Sequence, residues 1–311
     1  MNLSSIDDAC RVACLAIGVE YKAVPSDGRF HVADLVDDHR GRNDGRIKVF
    51  PDRQGGIVWN HKSGQKQSFF VNNTIDKSTP VQAAERARIK AEQRRRTAEQ
   101  LEQLEKASRR AQAIWSAAAP APVDHPYLAR KQVKPYGLRL GCWKRVIKTD
   151  DGRHNTLLIE GCLLVPMFCE TGTLSSLQAI FPDKHPVLDR DKDFLPSGGL
   201  AGLFWWLGAK TDKVLICEGY ATGATLHEES GYRVYLAFTA NNLMAVGRIV
   251  RAKLPAAEIV FCADNDQSAG NPGLTKATEA AADVGGSVAV PPIVGDFNDY
   301  ALYLREVGHV G

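Results

Sequence analysis

Residues 213–223 read KVLICEGYATG, and residues 258–266 read EIVFCADND. Each stretch is a short apolar run that ends at a carboxylate, Glu218 in the first and Asp264 in the second. A third run, VAVPPIVGDFNDY at residues 288–300, reaches Asp296 in the same way. Parallel α/β sheets present their functional groups at the carboxyl ends of their strands. The pattern therefore predicts a parallel sheet with an acidic edge.

Apolar, β-rich runs alternate with helical patterns through the last third of the chain. The predicted strands are 214–217, 233–238, 259–263 and 287–290. The predicted helices lie near 222–229, 241–253, 273–284 and 299–307. Strands that alternate with helices are typical of a parallel sheet flanked by helices. We therefore expect an α/β fold in this region.

The acidic residues at these strand ends suit a divalent cation. Glu218, Asp264, Asp266 and Asp296 offer hard oxygen ligands, and Mg²⁺ takes a few carboxylates beside waters and substrate phosphates. The alternative for any one loop is that its Asp or Asn only forms a turn or caps a helix. Three such loops in succession favour a site for Mg²⁺ or Mn²⁺.

The order of these motifs resembles that of the Toprim domain of primases and topoisomerases, over residues 211–308. The motifs are Glu218-Gly219, Asp264-Asn265-Asp266 and Asp296-Phe297-Asn298-Asp299. The resemblance implies that Glu218 is a metal ligand or a general acid/base. It implies that Asp264 and Asp266 bind Mg²⁺ and that Asp296 is the third acidic position.

The remaining motif residues have supporting roles in this resemblance. Gly219 and Gly223 follow the glutamate, and Gly219 is expected to let the backbone turn beside it. Asn298 stands where a second aspartate is frequent, so we count it as a possible metal ligand that carries no charge. Asp299 either compensates for that charge or caps the following helix.

Residues 163–196 read LLVPMFCETGTLSSLQAIFPDKHPVLDRDKDFLP. Two strands joined by a tight turn resemble the basic, RNA-polymerase-like subdomain of DnaG-type primases. Cys169 stands where that subdomain more usually has an acidic residue. Our candidates for phosphate contacts are Lys184, Arg190 and Lys192. The alternative is that they are ordinary surface charges.

Residues 124–137 read DHPYLARKQVKPYG and resemble a segment of plasmid- and phage-encoded primases. Three cations in this segment could follow a single-stranded backbone: Arg130, Lys131 and Lys134. Tyr127 or Tyr136 would offer a stacking face for a base. A linker helix that only packs on the catalytic core explains the same residues.

Turn signals within residues 27–70 separate short strands, which predicts a small antiparallel sheet of hairpins. Its position and ending resemble the zinc-binding module of primases, which helps to choose the template start site. A structural zinc site needs four ligands in paired spacing. This stretch has no Cys, and its histidines are His31, His39 and His61. We therefore predict no zinc.

The N-terminal region has two further features, a pair of cysteines and a set of basic residues. Cys10 and Cys14 lie on a predicted amphipathic helix, where core packing explains them. The hairpin region also carries basic residues that could contact DNA: Arg29, Arg40, Arg42, Arg46, Lys48 and Arg53.

A long polar helix is predicted over residues 80–118, rich in Ala, Glu, Gln, Lys and Arg. A helix that is polar almost all round usually bridges domains through solvent or is held by ion pairs along its surface. The run Arg94-Arg95-Arg96 could touch DNA. A solvated spacer is favoured because acidic residues surround this run: Glu92, Glu99, Glu102 and Glu105.

The composition fits a multidomain protein of a reducing compartment. The chain has 311 residues, 44% of them hydrophobic, and a net charge of only +3, so nucleic-acid binding should depend on local patches and weaken with salt. No apolar run approaches a membrane span and no signal peptide is evident. Several of the seven cysteines lie in apolar runs, which suits a cytoplasmic location.

We therefore predict an α/β Toprim domain at residues 209–311, preceded by a mixed α+β primase core at 120–208, a long helix at 77–119 and a small antiparallel β domain at 1–76. The resemblance implies a DNA primase of a plasmid, phage or other mobile element that joins nucleoside triphosphates on single-stranded DNA with two Mg²⁺. No P-loop pattern occurs, so a separate helicase or replication initiator is the expected partner. The alternatives are a Toprim nuclease and a non-catalytic single-strand-binding adaptor.

Overall fold

The structure, a computed structural model, describes residues 5–37, 44–71, 80–148, 152–266 and 271–308, with the side chains of helical residues 80–86 excepted. His39, Arg40 and Arg42 lie outside the described residues. The chain divides into two compact units, Met1–Arg96 and Thr97–Gly311. The division into four domains stays a prediction. Within the described part of the chain, no helix has the length and apolar character that crossing a membrane requires.

The first unit contains the predicted antiparallel sheet. Its elements are α1 (Ile6–Ala16), β1 (His31–Ala33), β2 (Gly45–Val49), β3 (Gly55–Asn60) and β4 (Lys66–Phe70). Each strand pairs with the next in the order β1-β2-β3-β4. Ser5 caps α1 by accepting the Asp8 N–H at 3.1 Å. The apolar face of α1 packs on this sheet and buries Cys10 and Cys14, so core packing accounts for both thiols.

The long helix α2 (Pro80–Ala117) has two different parts. Arg95 and Arg96 are exposed and pair with Glu92 at 2.9 and 2.8 Å. Further along, Ala107 and Ala111 are buried in the core of the second unit. Only the first part therefore matches the predicted solvated helix, because the last turns pack on a sheet.

That sheet belongs to the predicted primase core. After α2 the elements are β5 (Ala119–Pro120), α3 (Pro126–Lys131), β6 (Arg139–Lys148), β7 (His154–Phe168), β8 (Leu174–His185) and β9 (Arg190–Phe194). They form an antiparallel sheet in the order β5-β6-β7-β8-β9. The predicted turn between two strands joins β7 to β8, with Gly172 at φ +85°.

The second half of β7, from Cys162 to Met167, is apolar without alternation because both of its faces are covered. Leu164 packs toward α2, in a cluster that includes Ala111. Leu163 and Val165 pack on the other side, in a cluster that continues into the C-terminal sheet. The core sheet and the C-terminal sheet therefore share one hydrophobic core.

The C-terminal region has the predicted α/β fold. Its elements are β10 (Trp205–Leu207), β11 (Lys213–Cys217), α4 (Tyr220–Ser230), β12 (Arg233–Leu236), a 3₁₀ turn (Ala240–Asn242), α5 (Leu243–Lys253), β13 (Glu258–Cys262), α6 (Pro272–Val284), β14 (Ser287–Ala289) and α7 (Phe297–Gly308). The strand order is β10-β12-β11-β13-β14. The four predicted strands are parallel, and the sequence analysis missed β10, which pairs antiparallel with β12.

Gly223 explains how closely α4 approaches this sheet. A Cβ added at Gly223 would lie 2.2 Å from Leu236 Cδ2 and 3.2 Å from Cys217 Sγ. A side chain at this position would force the buried Leu236 to move. The supporting role predicted for Gly223 therefore has a packing reason.

Candidate active site

Three neighbouring parallel strands bring the predicted acidic residues to one edge of the sheet. Glu218 follows β11, Asp264 follows β13, and Asp296 follows the loop after β14. β13 lies between β11 and β14. Because the three strands run parallel, their carboxyl ends meet at the same edge. Electrostatic repulsion acts between Glu218 and Asp264 and between Asp264 and Asp296.

Glu218 is half-buried and difficult to ionise. Burial, and next the Asp264 carboxylate, raise the pKa of Glu218 to about 7, against the opposing effect of the Ala240 N–H. A Cβ at Gly273, in the first turn of α6, would lie 3.2 Å from Glu218 Oε1. The glutamate thus sits in a tight space formed by two loops and a helix start. Gly219 has φ −96°, so its backbone conformation does not require glycine.

Asp264 is half-buried and also difficult to ionise. Burial, followed by the charge of Asp296, raises the pKa of Asp264 to about 6, and the charge of Lys192 acts in the opposite direction. Asp264 Oδ1 is buried without a hydrogen-bond partner. A buried carboxylate oxygen that lacks a partner is costly unless a cation or donor reaches it. Asp264 therefore fits a cation ligand.

Asn265 fixes the loop that carries Asp264 and Asp266. Its backbone exchanges two hydrogen bonds with Gly295, at 2.8 and 3.1 Å. Its side-chain Nδ2 donates to the carbonyls of Pro291 and Ile293 at 3.2 and 3.0 Å. No role for Asn265 is predicted from the sequence. Its only signal there was its place between the two aspartates.

Asp296 is held by three donors. Its Oδ1 accepts the N–H groups of Asn298 and Asp299 at 2.7 and 2.9 Å, as an acidic helix cap does. Its Oδ2 accepts the hydroxyl of the buried Thr222 at 3.0 Å. Thr222 lies in the first turn of α4, and no function is predicted for it from the sequence. The cap and ligand roles are compatible, because each carboxylate oxygen has a second lone pair.

Asn298 is placed differently from the three acids. It is 0% exposed, and its Nδ2 donates to the Lys131 carbonyl at 2.8 Å and to Thr225 Oγ1 at 2.9 Å. These contacts give Asn298 a role in joining α7 to α3. Metal ligation by Asn298 stays a prediction. Asp299 pairs with Lys131 at 3.1 Å and accepts the Asp296 N–H at 3.2 Å, so it supports the turn that begins α7. That Asp299 replaces the charge missing at Asn298 stays a prediction.

The predicted phosphate contacts lie at the end of β8 and on β9, with Lys184 on β8 and Arg190 and Lys192 on β9. Lys192, on β9, lowers the pKa of Asp264 and therefore faces the acidic edge. Lys184 pairs with Asp189 at 2.6 Å, and Arg190 pairs with Asp193 at 3.0 Å. A cavity of about 500 Å³ adjoins these pairs, lined by Arg130, Asp183, Lys184, Asp189, Arg190 and Asp191. Phosphate binding by these residues stays a prediction, and Lys192 has the most direct relation to the acids.

The segment after α2 makes contacts on both of its sides. Arg130 pairs with Asp183 at 3.2 Å, and the exposed Lys134 uses its backbone to bond Glu228 and Tyr220. Tyr127 is 1% exposed, so the expectation that it offers a stacking face is wrong. Its ring fills the shared core instead. Tyr136 is half-buried and packs edge-on against His227 at 5.2 Å.

The acidic edge fits Mg²⁺ better than a metal held by the protein alone. Within the described residues, no three His, Cys, Asp or Glu side chains are grouped to enclose an ion. Mg²⁺ usually uses one or two carboxylates and completes its octahedron with waters and substrate phosphates. Burial, and next repulsion from a neighbouring acid, raise the pKa values of Glu218 and Asp264. A bound cation would offset both effects and would give the unpartnered Asp264 oxygen a ligand.

Residues 212–290 match the family model described as the Toprim domain, so this region is a Toprim domain. The chain is 28% identical over 299 residues to the DNA primase TraC of Escherichia coli, covering 90% of this chain and 25% of that protein. A second TraC primase of Escherichia coli is 27% identical over 285 residues, covering 84% of this chain and 18% of that protein. The chain thus spans about a quarter or less of the length of these relatives.

Solved structures with a similar fold include two primase fragments. The RNA polymerase domain of Mycobacterium tuberculosis primase DnaG has 17% identity and a TM-score of 0.45, covering 66% of this chain and 80% of that one. The primase fragment of the bacteriophage T7 primase-helicase protein has 18% identity and a TM-score of 0.40, covering 62% and 78%.

Proposed function

We propose that this chain is a DNA primase that synthesises short RNA primers on single-stranded DNA, for replication of a plasmid or another mobile element. The observation that carries the proposal is the acidic edge of the Toprim domain, where Asp264 keeps a buried oxygen without a partner and Lys192 faces it from the core sheet. Similarity to TraC primases along most of the chain favours primer synthesis over other Toprim chemistries.

The chain's own residues divide the work of nucleotidyl transfer. Glu218, Asp264, Asp266 and Asp296 would hold Mg²⁺, which when bound neutralises the triphosphate and makes the attacking 3′-hydroxyl more acidic. Glu218 has a pKa of about 7 before a cation binds. A carboxylate with that pKa can take up a proton near neutral pH. Lys192 would orient the triphosphate.

The wider setting belongs to the same proposal. The substrates are nucleoside triphosphates and a single-stranded DNA template. A separate helicase or replication initiator would bring the chain to its template. The cytoplasm, where replicating DNA of a mobile element lies, is the proposed location. Lys184, Arg190, Arg130 and Lys134 remain candidate contacts with nucleotide or template.

The test is incorporation of labelled ribonucleotides, without a primer, on a panel of single-stranded DNAs with Mg²⁺ or Mn²⁺. The wild-type chain is run beside Glu218→Gln, Asp264→Asn and the control Glu279→Gln. Glu279 is an exposed acid of α6 that pairs with Lys276. Short products that disappear in the first two variants and persist in the control are expected.

Other outcomes favour the two alternatives. Shortening of the template, lost in the same two variants, would make the chain a Toprim nuclease. Retained affinity for single-stranded DNA, with no synthesis by any of the four proteins, would favour the adaptor.

A further inference from the structure

Lys131 lies at the end of α3 and reaches the loop that carries Asp296. Its Nζ is 3.1 Å from Asp299 Oδ1, and the two side chains are 26% and 44% exposed. The other oxygen of Asp299 accepts the Asp296 N–H at 3.2 Å. One carboxylate therefore links the Lys131 charge to the backbone of a predicted metal ligand.

A second link joins the same two segments. Asn298 donates its side-chain N–H to the Lys131 carbonyl at 2.8 Å, while the Asn298 backbone N–H donates to Asp296 Oδ1 at 2.7 Å. The loop has little freedom on its other side, because Gly295 has φ +118° and a Cβ there would lie 2.7 Å from Asp299 Oδ2. Lys131 and its backbone thus hold the loop from outside the Toprim sheet.

We propose that Lys131 is a positioning residue of the acidic edge, which acts through Asp299 to fix Asp296, and is not a phosphate contact. The inference rests on the proposed metal site. It reassigns a lysine whose place in the sequence, between Arg130 and Lys134, indicated a backbone contact. Outer groups that orient metal ligands commonly affect metal affinity by about 10- to 100-fold.

Removing the Lys131 charge has two opposing effects on a bound cation. A freed Asp299 adds negative charge that attracts any divalent ion. A released loop also lets Asp296 move, which harms Mg²⁺ most because Mg²⁺ demands near-ideal octahedral geometry, whereas Ca²⁺ accepts flexible coordination. If Lys131 acts by positioning, Mg²⁺ affinity falls and Ca²⁺ affinity does not.

The experiment measures Mg²⁺ and Ca²⁺ binding to the full chain by isothermal titration calorimetry. Lys131→Met should weaken Mg²⁺ binding by about 10-fold, with Ca²⁺ binding unchanged or tighter. Lys131→Arg, which keeps the pair with Asp299, should restore most of the Mg²⁺ affinity. Lys213→Met is the matched control: Lys213 pairs with Glu258 at 2.8 Å at the amino ends of β11 and β13, opposite the acidic edge, so this variant should bind Mg²⁺ as the wild type does.

A double-mutant cycle tests the route through Asp299. Lys131→Met should change Mg²⁺ affinity little in an Asp299→Asn background, because the charge that Lys131 holds is already gone. Full additivity of the two changes would overturn the proposal.

A last measurement separates positioning from phosphate contact. Loss of a phosphate contact lowers the salt slope of DNA binding by about 1. Lys131→Met should leave the slope for single-stranded DNA unchanged; a reduced slope with normal Mg²⁺ affinity would make Lys131 a phosphate contact. If the wild-type chain binds no divalent cation, the metal site of the proposed function fails and this inference fails with it.

Discussion

Carboxylates at the acidic edge of the Toprim sheet differ from a carboxylate of β9 in whether they have compensating partners. At the acidic edge, burial and then repulsion by a neighbouring acid raise the pKa values of Glu218 and Asp264, and an oxygen of Asp264 lacks a partner. In the core sheet, Asp193 is 6% exposed but accepts Trp143 Nε1 at 3.0 Å and pairs with Arg190 at 3.0 Å. The Asp264 carboxylate therefore has an oxygen without a hydrogen-bond partner, whereas the buried Asp193 carboxylate is paired.

This difference distinguishes charged groups that stabilise the fold from charged groups that are available to bind a ligand. A buried charge that serves the fold is paired, since an unpaired one is expensive. Groups with perturbed pKa values that remain uncompensated cluster at functional sites. On this basis we propose that Asp193 stabilises the fold and that Glu218 and Asp264 belong to the proposed metal site.

The largest expected effect comes from removing each kind of carboxylate in turn. Asp193→Ala leaves the buried Trp143 N–H without its acceptor and removes the carboxylate that pairs with the partly exposed Arg190, so it should lower the free energy of unfolding by about 1–3 kcal/mol. Asp264→Asn removes a repelled charge and should leave the metal-free protein as stable as the wild type or more stable. Differential scanning calorimetry in EDTA compares the two, and an equal loss of stability would remove the distinction.

Lys192 tests whether one cation of the core sheet belongs functionally to the acidic edge. Lys192→Met should raise the KM for nucleotides by about 10-fold or more, because a charged hydrogen bond contributes about 1.5–3 kcal/mol. The melting temperature should not change. Lys276→Met, on the exposed face of α6, is the control. A normal KM in the Lys192 variant would place the nucleotide elsewhere.

The raised pKa values predict how pH affects the metal-free chain. The folded-state pKa of Glu218 is about 7 against an ordinary value of 4.5, and that of Asp264 is about 6 against 3.8. Between these values the folded chain binds more protons than the unfolded chain, so this contribution to stability is lost as pH rises from about 4 to 7.

Melting temperatures in EDTA from pH 5.5 to 8 measure this dependence. The double variant Glu218→Gln/Asp264→Asn should lose less stability over this range than the wild type does. Stabilisation by Mg²⁺ should be larger at pH 8 than at pH 5.5, because the ion competes with these protons. Parallel pH profiles for wild type and double variant would contradict the assignment.

The smallest effect is expected from an exposed pair of the core sheet. Lys184 and Asp189 are 64% and 87% exposed, and exposed pairs contribute about 0–1 kcal/mol. Asp189→Asn should therefore leave the melting temperature nearly unchanged. If it also strengthens nucleotide binding by freeing Lys184, the predicted phosphate contact gains support, whereas no change in binding leaves Lys184 an ordinary surface charge.

The amino-acid sequence by itself determined the Toprim region and the positions of its acids. Each strand is a local apolar run that ends at its own carboxylate, as in the run from Val214 to Glu218, and period and spacing are local properties of the chain. The antiparallel hairpins of the first unit were predictable for the same reason, because turn residues mark where each strand ends.

Only the tertiary structure decided what each charged or polar side chain contacts. Two of these contacts join residues that lie far apart in the sequence: the backbone hydrogen bonds between Asn265 and Gly295, and the salt bridge between Lys131 and Asp299. The burial of Tyr127 likewise depends on two sheets that share one core. The residues next to these in the chain do not indicate such contacts, because the contacts form only when separate elements pack together. The spacing of Arg130, Lys131 and Lys134 is equally compatible with a salt bridge inside the fold and with a DNA-binding surface.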